Sequence, residues 1–240
     1  MSTALTLDSS VFRNRKPQIF AGLALAKDGD TEDFATAIPV SAGSGAPSHA
    51  GVIGELYVRT DSSATIPALY RATTTAIWEP VGGYQAAVTA ASSAVTNTAV
   101  ETDFDQTITL PANLLTQGSK VRIRCQGIAT ATHTNDTLAI KVYLDGNAIV
   151  SIPGVDVSNN DIFYVDFELT VRGALGAAAA IVGCGVGGTG TPGTLTAKPT
   201  ILASTNFATN GALTVKASAT WSAADVGNSC RMDVLSVEVI

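Results

Sequence analysis

GELYVRTD at residues 54–61 is followed by ALYRAT at residues 68–73 and IWEPVGG at residues 77–83. Each run spaces its large apolar or aromatic side chains two positions apart, and turn-forming residues separate the runs. A period of two is the pattern of half-buried β-strands. We therefore predict a small β-meander over residues 51–86, although any small antiparallel sheet also favours Tyr, Val, Thr and Trp.

The chain beyond residue 87 also follows a strand pattern. Residues 120–128 place Val121, Ile123 and Cys125 on one face, and residues 163–172 repeat this alternation of apolar and polar side chains. Asp145 and Gly146 supply a hairpin turn. About eight or nine strands with regularly spaced turns predict a sandwich or barrel over residues 87–240.

Two segments within this region are predicted to lie outside the strands. Residues 187–193 are rich in Gly, Thr and Pro, and they follow a predicted strand of small residues at 177–186, so we expect a loop there. Residues 111–115, with the sequence PANLL, are expected to form one short helical turn.

The composition favours a structural β-protein over a helical enzyme. The 240 residues include only 14% charged and 6% aromatic residues, and the net charge is −6. Proteins that bind nucleic acid need a concentrated Lys and Arg surface to displace counterions from phosphates. We therefore expect no nucleic-acid partner.

Residues 1–50 differ from the rest of the chain and are predicted to form an extended arm. Residues 41–48 resemble a linker, and two opposite charge clusters surround too few apolar residues to enclose a core. We expect a partner's surface to order this arm; a disordered leader is the alternative. The residues expected to bind the partner are Arg13, Arg15 and Lys16 in the basic cluster and Asp28, Asp30, Glu32 and Asp33 in the acidic cluster.

No metal or cofactor site is expected. An EF-hand loop that began at Asp28 would need Gly at its sixth position and a carboxylate at its twelfth, where this chain has Asp33 and Pro39. The cysteines Cys125, Cys184 and Cys230 are odd in number and lie in apolar, strand-like runs, which predicts buried free thiols in a reducing compartment. His49 and His133 lack the paired spacing of zinc ligands.

The start of the chain has no basic segment ahead of an apolar block, so we predict no secretory signal. The most apolar stretch, residues 174–188, is shorter than a bilayer span requires. We expect a soluble protein that is made in a cytoplasm and has no membrane partner.

The meander at residues 54–83 resembles a module of the tail, fibre and head-surface proteins of tailed bacteriophages. The resemblance rests on Leu56-Tyr57, Leu69-Tyr70 and Trp78 within a pattern that reads G-x-L-Y-x-x-T-D, then L-Y, then W-x-x-V.

A second resemblance, to the jelly-roll domains of phage virion proteins, covers most of residues 107–240. Its motifs are TITLPAN at 107–113, GSKVRIR at 118–124, LDG at 144–146 and WSAA at 221–224. The resemblance implies a jelly-roll β-sandwich and a homotrimer.

The carboxylates Asp166 and Glu168 form the acid pair that most resembles a glycosidase pair. They lie two apart on one predicted strand, so their separation could match either glycosidase geometry. Strands also turn polar residues toward solvent as a rule, and no third group marks a cleft. We therefore predict that the protein is not an enzyme.

Together these features predict a phage virion surface protein, made in the host bacterial cytoplasm, that decorates the capsid or forms a head spike. The arm would bind the major capsid protein, residues 51–86 would form a neck, and the jelly roll would project outward. One alternative is a short tail fibre that joins a tail protein and contacts host glycans through loops such as 187–193. Another is a cellular carbohydrate-binding β-sandwich.

We predict that the purified protein is a trimer, because low-charge strands would otherwise leave apolar sheet faces exposed. Light scattering should give three times the mass of one chain. A stable monomer at micromolar concentration would contradict this expectation.

Overall fold

The computed structural model describes residues 40–45, 47–61, 69–75, 78–81, 83–191 and 194–240. Every regular element in these ranges is a β-strand, which confirms the predicted all-β class, and none is a helix that could span a membrane. A small sheet contains β1 (Val40–Gly43), β2 (Leu56–Arg59), β3 (Leu69–Ala72) and β4 (Trp78–Pro80). Two larger sheets contain β5 (Tyr84–Ala87), β6 (Val95–Thr96), β7 (Thr102–Asp103), β8 (Ile108–Leu110), β9 (Lys120–Thr130), β10 (Thr137–Leu144), β11 (Asn147–Asp156), β12 (Asp161–Val171), β13 (Ala179–Thr191), β14 (Thr194–Phe207), β15 (Leu213–Trp221) and β16 (Ser229–Val239).

The small sheet has the order β1-β2-β3-β4, and its last three strands form the antiparallel meander that the sequence predicts. Tyr57, Tyr70, Ala72 and Trp78 form a buried cluster of their own. The sequence analysis interpreted residues 41–48 as a linker, but β1 pairs in parallel with β2. Main-chain pairing with β2 needs no large side chains, so the small residues of β1 gave no strand signal.

The two larger sheets form a jelly roll. β5 and β6 both pair with β16, and β7 and β8 both pair with β15, so each of these two pairs acts as one interrupted strand. The orders are then β5/β6-β16-β9-β12 in one sheet and β7/β8-β15-β10-β11 in the other. This is the arrangement of two Greek keys packed face to face. The hairpin of β13 and β14 extends the first sheet beyond β12.

Inward-facing side chains from both sheets form one continuous core. On β12, Val165, Phe167 and Leu169 are fully buried, and their cross-strand partners on β9 are the apolar residues that the sequence assigned to the core. The ring of Phe163 stacks on that of Phe104 with centroids 5.9 Å apart. The period-two alternation therefore identified the buried face of these strands correctly.

The prediction of a loop at residues 187–193 is wrong for residues 187–191, which belong to β13; residues 192 and 193 lie outside the described ranges. Glycine serves close packing here. A Cβ atom on Gly185 would lie 2.8 Å from the ring of Phe167 and 2.3 Å from the carbonyl oxygen of Asp166. A Cβ on Gly187 would lie 2.7 Å from the side chain of Ile152 on β11. The glycines of β13 thus leave room for large side chains of the core.

Two further details differ from the sequence-based expectations. Residues 111–115 form a turn without a helix, and Asn113 has a left-handed φ of 62°. The strand β5 lies largely within the predicted neck, residues 51–86, but pairs with β16 of the jelly roll. The division into arm 1–50, neck 51–86 and jelly roll 87–240 stays a prediction.

We expect Gly185→Ala to lower the free energy of unfolding by about 1–3 kcal/mol, because the added methyl group overpacks the core against Phe167. Thermal denaturation measures the loss. Gly211→Ala is the matched control, since the nearest atom to its Cβ would be 3.9 Å away. Equal melting temperatures for the two variants would contradict the close-packing role of Gly185.

Candidate functional site

The seven residues predicted to bind a partner lie outside the described residues. They are Arg13, Arg15, Lys16, Asp28, Asp30, Glu32 and Asp33. Their role stays a prediction, and the candidate surfaces described below belong to the jelly roll and the small sheet.

The outer face of the sheet that contains β9, β12 and β16 carries alternating charges in register. Glu168 lies opposite Arg122, which lies opposite Glu238, which in turn lies opposite Gln85 on β5. Opposite charges on neighbouring strands stabilise a sheet, whereas like charges destabilise it. We call this surface the charge ladder; it comprises Gln85, Lys120, Arg122, Arg124, Asp166, Glu168 and Glu238.

Side chains within the charge ladder satisfy one another. Arg122 donates from Nε to Asp166 Oδ1 at 2.8 Å and from an Nη to Oδ2 at 2.5 Å. Arg124 Nε lies 3.6 Å from Asp166 Oδ2, and Lys120 Nζ lies 3.8 Å from Glu168 Oε1. The two acids therefore share the solvent face, as predicted, and each has a basic neighbour.

The environment of Asp166 does not suit a general acid. The hydrogen bond from Arg122 outweighs the partial burial of the carboxylate and lowers the pKa of Asp166. A glycosidase acid needs a raised pKa so that it keeps its proton at neutral pH. The geometry favours a structural role for this pair, and the absence of enzymatic activity stays a prediction.

The charge ladder ends at β12, and the neighbouring hairpin has a different outer face. Cys184 lies opposite Glu168 on one side and Ile201 on the other, and Val186 lies between Asp166 and Pro199 in the next row. We call this surface the uncharged strip; it comprises Val182, Cys184, Val186, Ala197, Pro199 and Ile201.

The cysteines differ from the expectation at one position. Cys125 and Cys230 are buried free thiols, as predicted, and burial raises the pKa of both to about 12. Cys184 is exposed, so the prediction of burial is wrong there. It occupies the outward position of β13, next to Ile201. The surrounding small apolar residues gave a core-like pattern because this outer face is itself apolar.

A polar cluster on the outer face of the other large sheet was not predicted. Glu101 accepts hydrogen bonds from Lys141 Nζ at 2.6 Å, from Ser218 Oγ at 2.7 Å and from the hydroxyl of Tyr143. These donors, led by Lys141, lower the pKa of Glu101 to about 2. Because Glu101 and β7 have no periodic pattern of their own, the only signal was the outward position of their partners on β10 and β15. The cluster fastens the segment before β7 to the sheet.

The small sheet buries the aromatic residues that could otherwise have stacked on a sugar. Trp78 and Tyr57 are 4% and 6% exposed, which confirms their predicted packing role. Trp78 donates its indole N–H to the carbonyl oxygen of His49 at 3.1 Å. Elsewhere in the described chain, Tyr143 and Tyr164 are half-buried and the remaining aromatic side chains are buried. The amino group of Lys216 lies 5.2 Å above the ring of Tyr143.

Glu55 connects the segments around the small sheet. Burial raises the pKa of this carboxylate, but hydrogen bonds from His49, the backbone N–H of Val52 and the Ser41 hydroxyl outweigh that effect and lower it overall. The serine donates to the carboxylate at 2.7 Å, and no hydrogen bond between Ser41 and His49 is seen. This geometry does not activate a serine nucleophile, because the base must accept the hydroxyl proton.

The described ranges contain no group of three or more His, Cys, Asp or Glu side chains that could hold a metal ion. His49 lies 3.0 Å from Glu55, and His133 lies 3.9 Å from Asp225.

Comparisons with known proteins returned only distant structural similarity. No protein-family model matches the chain, and no curated protein matches it. The CBM2 module of the evolved Dit of Lactobacillus casei BL23 phage J-1 is 11% identical, with a TM-score of 0.32 over 67% of this chain and 80% of that one. The VP2 subviral particle of infectious bursal disease virus is 13% identical, with a TM-score of 0.25 over 65% of this chain and 32% of that one. Scores this low do not identify a function.

We expect the double variant Asp166→Asn, Glu168→Gln to lose no more than about 1 kcal/mol of stability, because partly exposed ion pairs contribute little. Chemical denaturation measures this loss. Incubation of the wild-type protein with host surface polysaccharide should leave the chain length unchanged. Cleavage that the double variant abolishes while it folds normally would contradict the structural role of the pair.

Proposed function

We propose that this protein is a non-enzymatic structural component of a phage virion surface, most simply a capsid decoration or head-spike protein. In this proposal the N-terminal arm attaches to the major capsid protein, and the jelly roll projects outward. The protein acts as a homotrimer.

The observation that carries the proposal is the order of the modules along the chain. Residues 54–83, which resemble phage tail and head-surface proteins, form a small sheet with its own buried aromatic cluster. The jelly roll follows and has a separate core. Ahead of both modules lie 39 residues that carry two clusters of opposite charge. An anchor segment, a small module and an outer β-sandwich make a suitable arrangement for a surface attachment.

The surface chemistry favours attachment over catalysis or sugar binding. In the charge ladder, Asp166 is bound by Arg122 and has a lowered pKa. Stacking on a sugar needs an open aromatic face, and every aromatic side chain in the described ranges is buried or half-buried. Polar groups that satisfy one another suit a stable surface that does not bind small ligands.

Valency explains how such arms would attach firmly. When three linked arms bind neighbouring sites, the second and third binding events are intramolecular and gain effective concentration without new contacts. Contacts between the arm's charges and the shell are screened by salt, with a Debye length of about 8 Å at physiological ionic strength. Attachment should therefore weaken as the salt concentration rises.

We expect the full-length triple variant Arg13→Glu, Arg15→Glu, Lys16→Glu to lose binding to bare capsids, because it reverses the basic cluster of the arm. Co-sedimentation of protein with capsids measures the binding. The matched control is Lys120→Glu, Arg172→Glu, Arg231→Glu, which makes the same change of net charge on the jelly roll.

Binding of the control but not of the arm variant supports the proposal. If both variants bind like wild type, the basic cluster does not attach the protein. If wild type binds cells but not capsids, the short tail fibre is the better assignment.

A further inference from the structure

We propose that the uncharged strip on the outer face of β13 and β14 is a contact surface between copies of this chain. This inference specifies the self-association included in the proposed function, but it does not depend on the location in a virion.

Ile201 is the most unusual residue of the strip. It lies in the middle of β14 and is 80% exposed. By comparison, Ile128, Ile162 and Val234, which are exposed on the same face of the sheet, are each 39% exposed. Single exposed apolar residues are ordinary, whereas a contiguous apolar patch marks an interaction site. Cys184, Val186 and Pro199 surround Ile201 and make the patch contiguous.

Charge identifies a second copy as the occupant. Each chain carries a net charge of −6, so two copies repel each other on approach. A contact through the charge ladder would also remove its ion pairs from water, which is costly. The uncharged strip contains no ionisable group except the thiol of Cys184. A strongly charged partner would find no opposite charge there, whereas a second uncharged strip is complementary to it.

The edge of the sheet adds main-chain groups to this surface. β14 is 14 residues long, and its hydrogen-bonded neighbour in the described sheet is β13 alone. Exposed edge strands are commonly protected by charged side chains. The only charged residue on β14 is Lys198, which lies opposite Gly187 and is therefore on the other face from Ile201. The strip is thus left without an outward charge to prevent association.

The test compares two full-length variants that introduce the same charge. Ile201→Asp places a carboxylate in the uncharged strip, and Val226→Asp places one at an 82% exposed position in the turn between β15 and β16. Multi-angle light scattering should show that wild type and Val226→Asp share one associated mass. Ile201→Asp should fall toward the 24.4 kDa of a single chain. Circular dichroism checks that both variants are folded.

The thiol of Cys184 provides a second readout that needs no variant. A maleimide reagent should label Cys184 in dilute wild-type protein and label it more slowly as the protein concentration rises. Cys125 and Cys230 serve as internal controls, because they are buried and should react only after unfolding.

An Ile201→Asp variant that keeps the wild-type mass, or a Cys184 labelling rate that does not depend on concentration, would overturn the proposed contact. A wild-type protein that is monomeric at every concentration would also overturn it. Capsid binding is measured separately, so failure of this contact leaves the proposed virion attachment to its own test.

Discussion

Burial of one continuous apolar layer between two sheets is the interaction on which the rest of this structure depends. Side chains alternate in and out along β9, β12, β15 and β16, so each strand contributes one face to the core and one to the surface. A shift of one residue in register would exchange the two faces of a strand. The core therefore determines which polar groups meet on the outside, including the contacts of Arg122 with Asp166.

The outer face of the longer sheet has two chemically distinct halves as a result. Around β9 and β12, charged side chains of opposite sign neutralise one another. Across β13 and β14, outward positions carry small or apolar side chains, and Ile201 is largely exposed. The inward positions of β13 are glycines because Phe167 and Ile152 occupy the space that side chains would need. The hairpin thus extends the core on one side and offers an uncharged surface on the other.

The errors in the sequence-based predictions share one physical cause. Glycine has no side chain, so it permits both tight turns and close packing in a strand. At Gly187 the deciding contact is with Ile152 on β11, which is distant in sequence. Cys184 was assigned to the core because its neighbours are small and apolar, and only the position of β12 beside β13 shows that it points outward. The pairing of β1 with β2 likewise depends on main-chain groups that composition does not report.

Period-two patterns in the sequence by themselves determined the all-β class, the buried faces of the long strands and the packing role of Trp78, because alternation is a local property of a strand. The order of strands in the two sheets, the joining of β13 and β14 to β12, and the cluster around Glu101 were decided only by the tertiary structure. These features depend on contacts between residues far apart in the chain, which no local pattern records. The same holds for the boundary between the charge ladder and the uncharged strip, since it arises where strands from different parts of the sequence lie side by side.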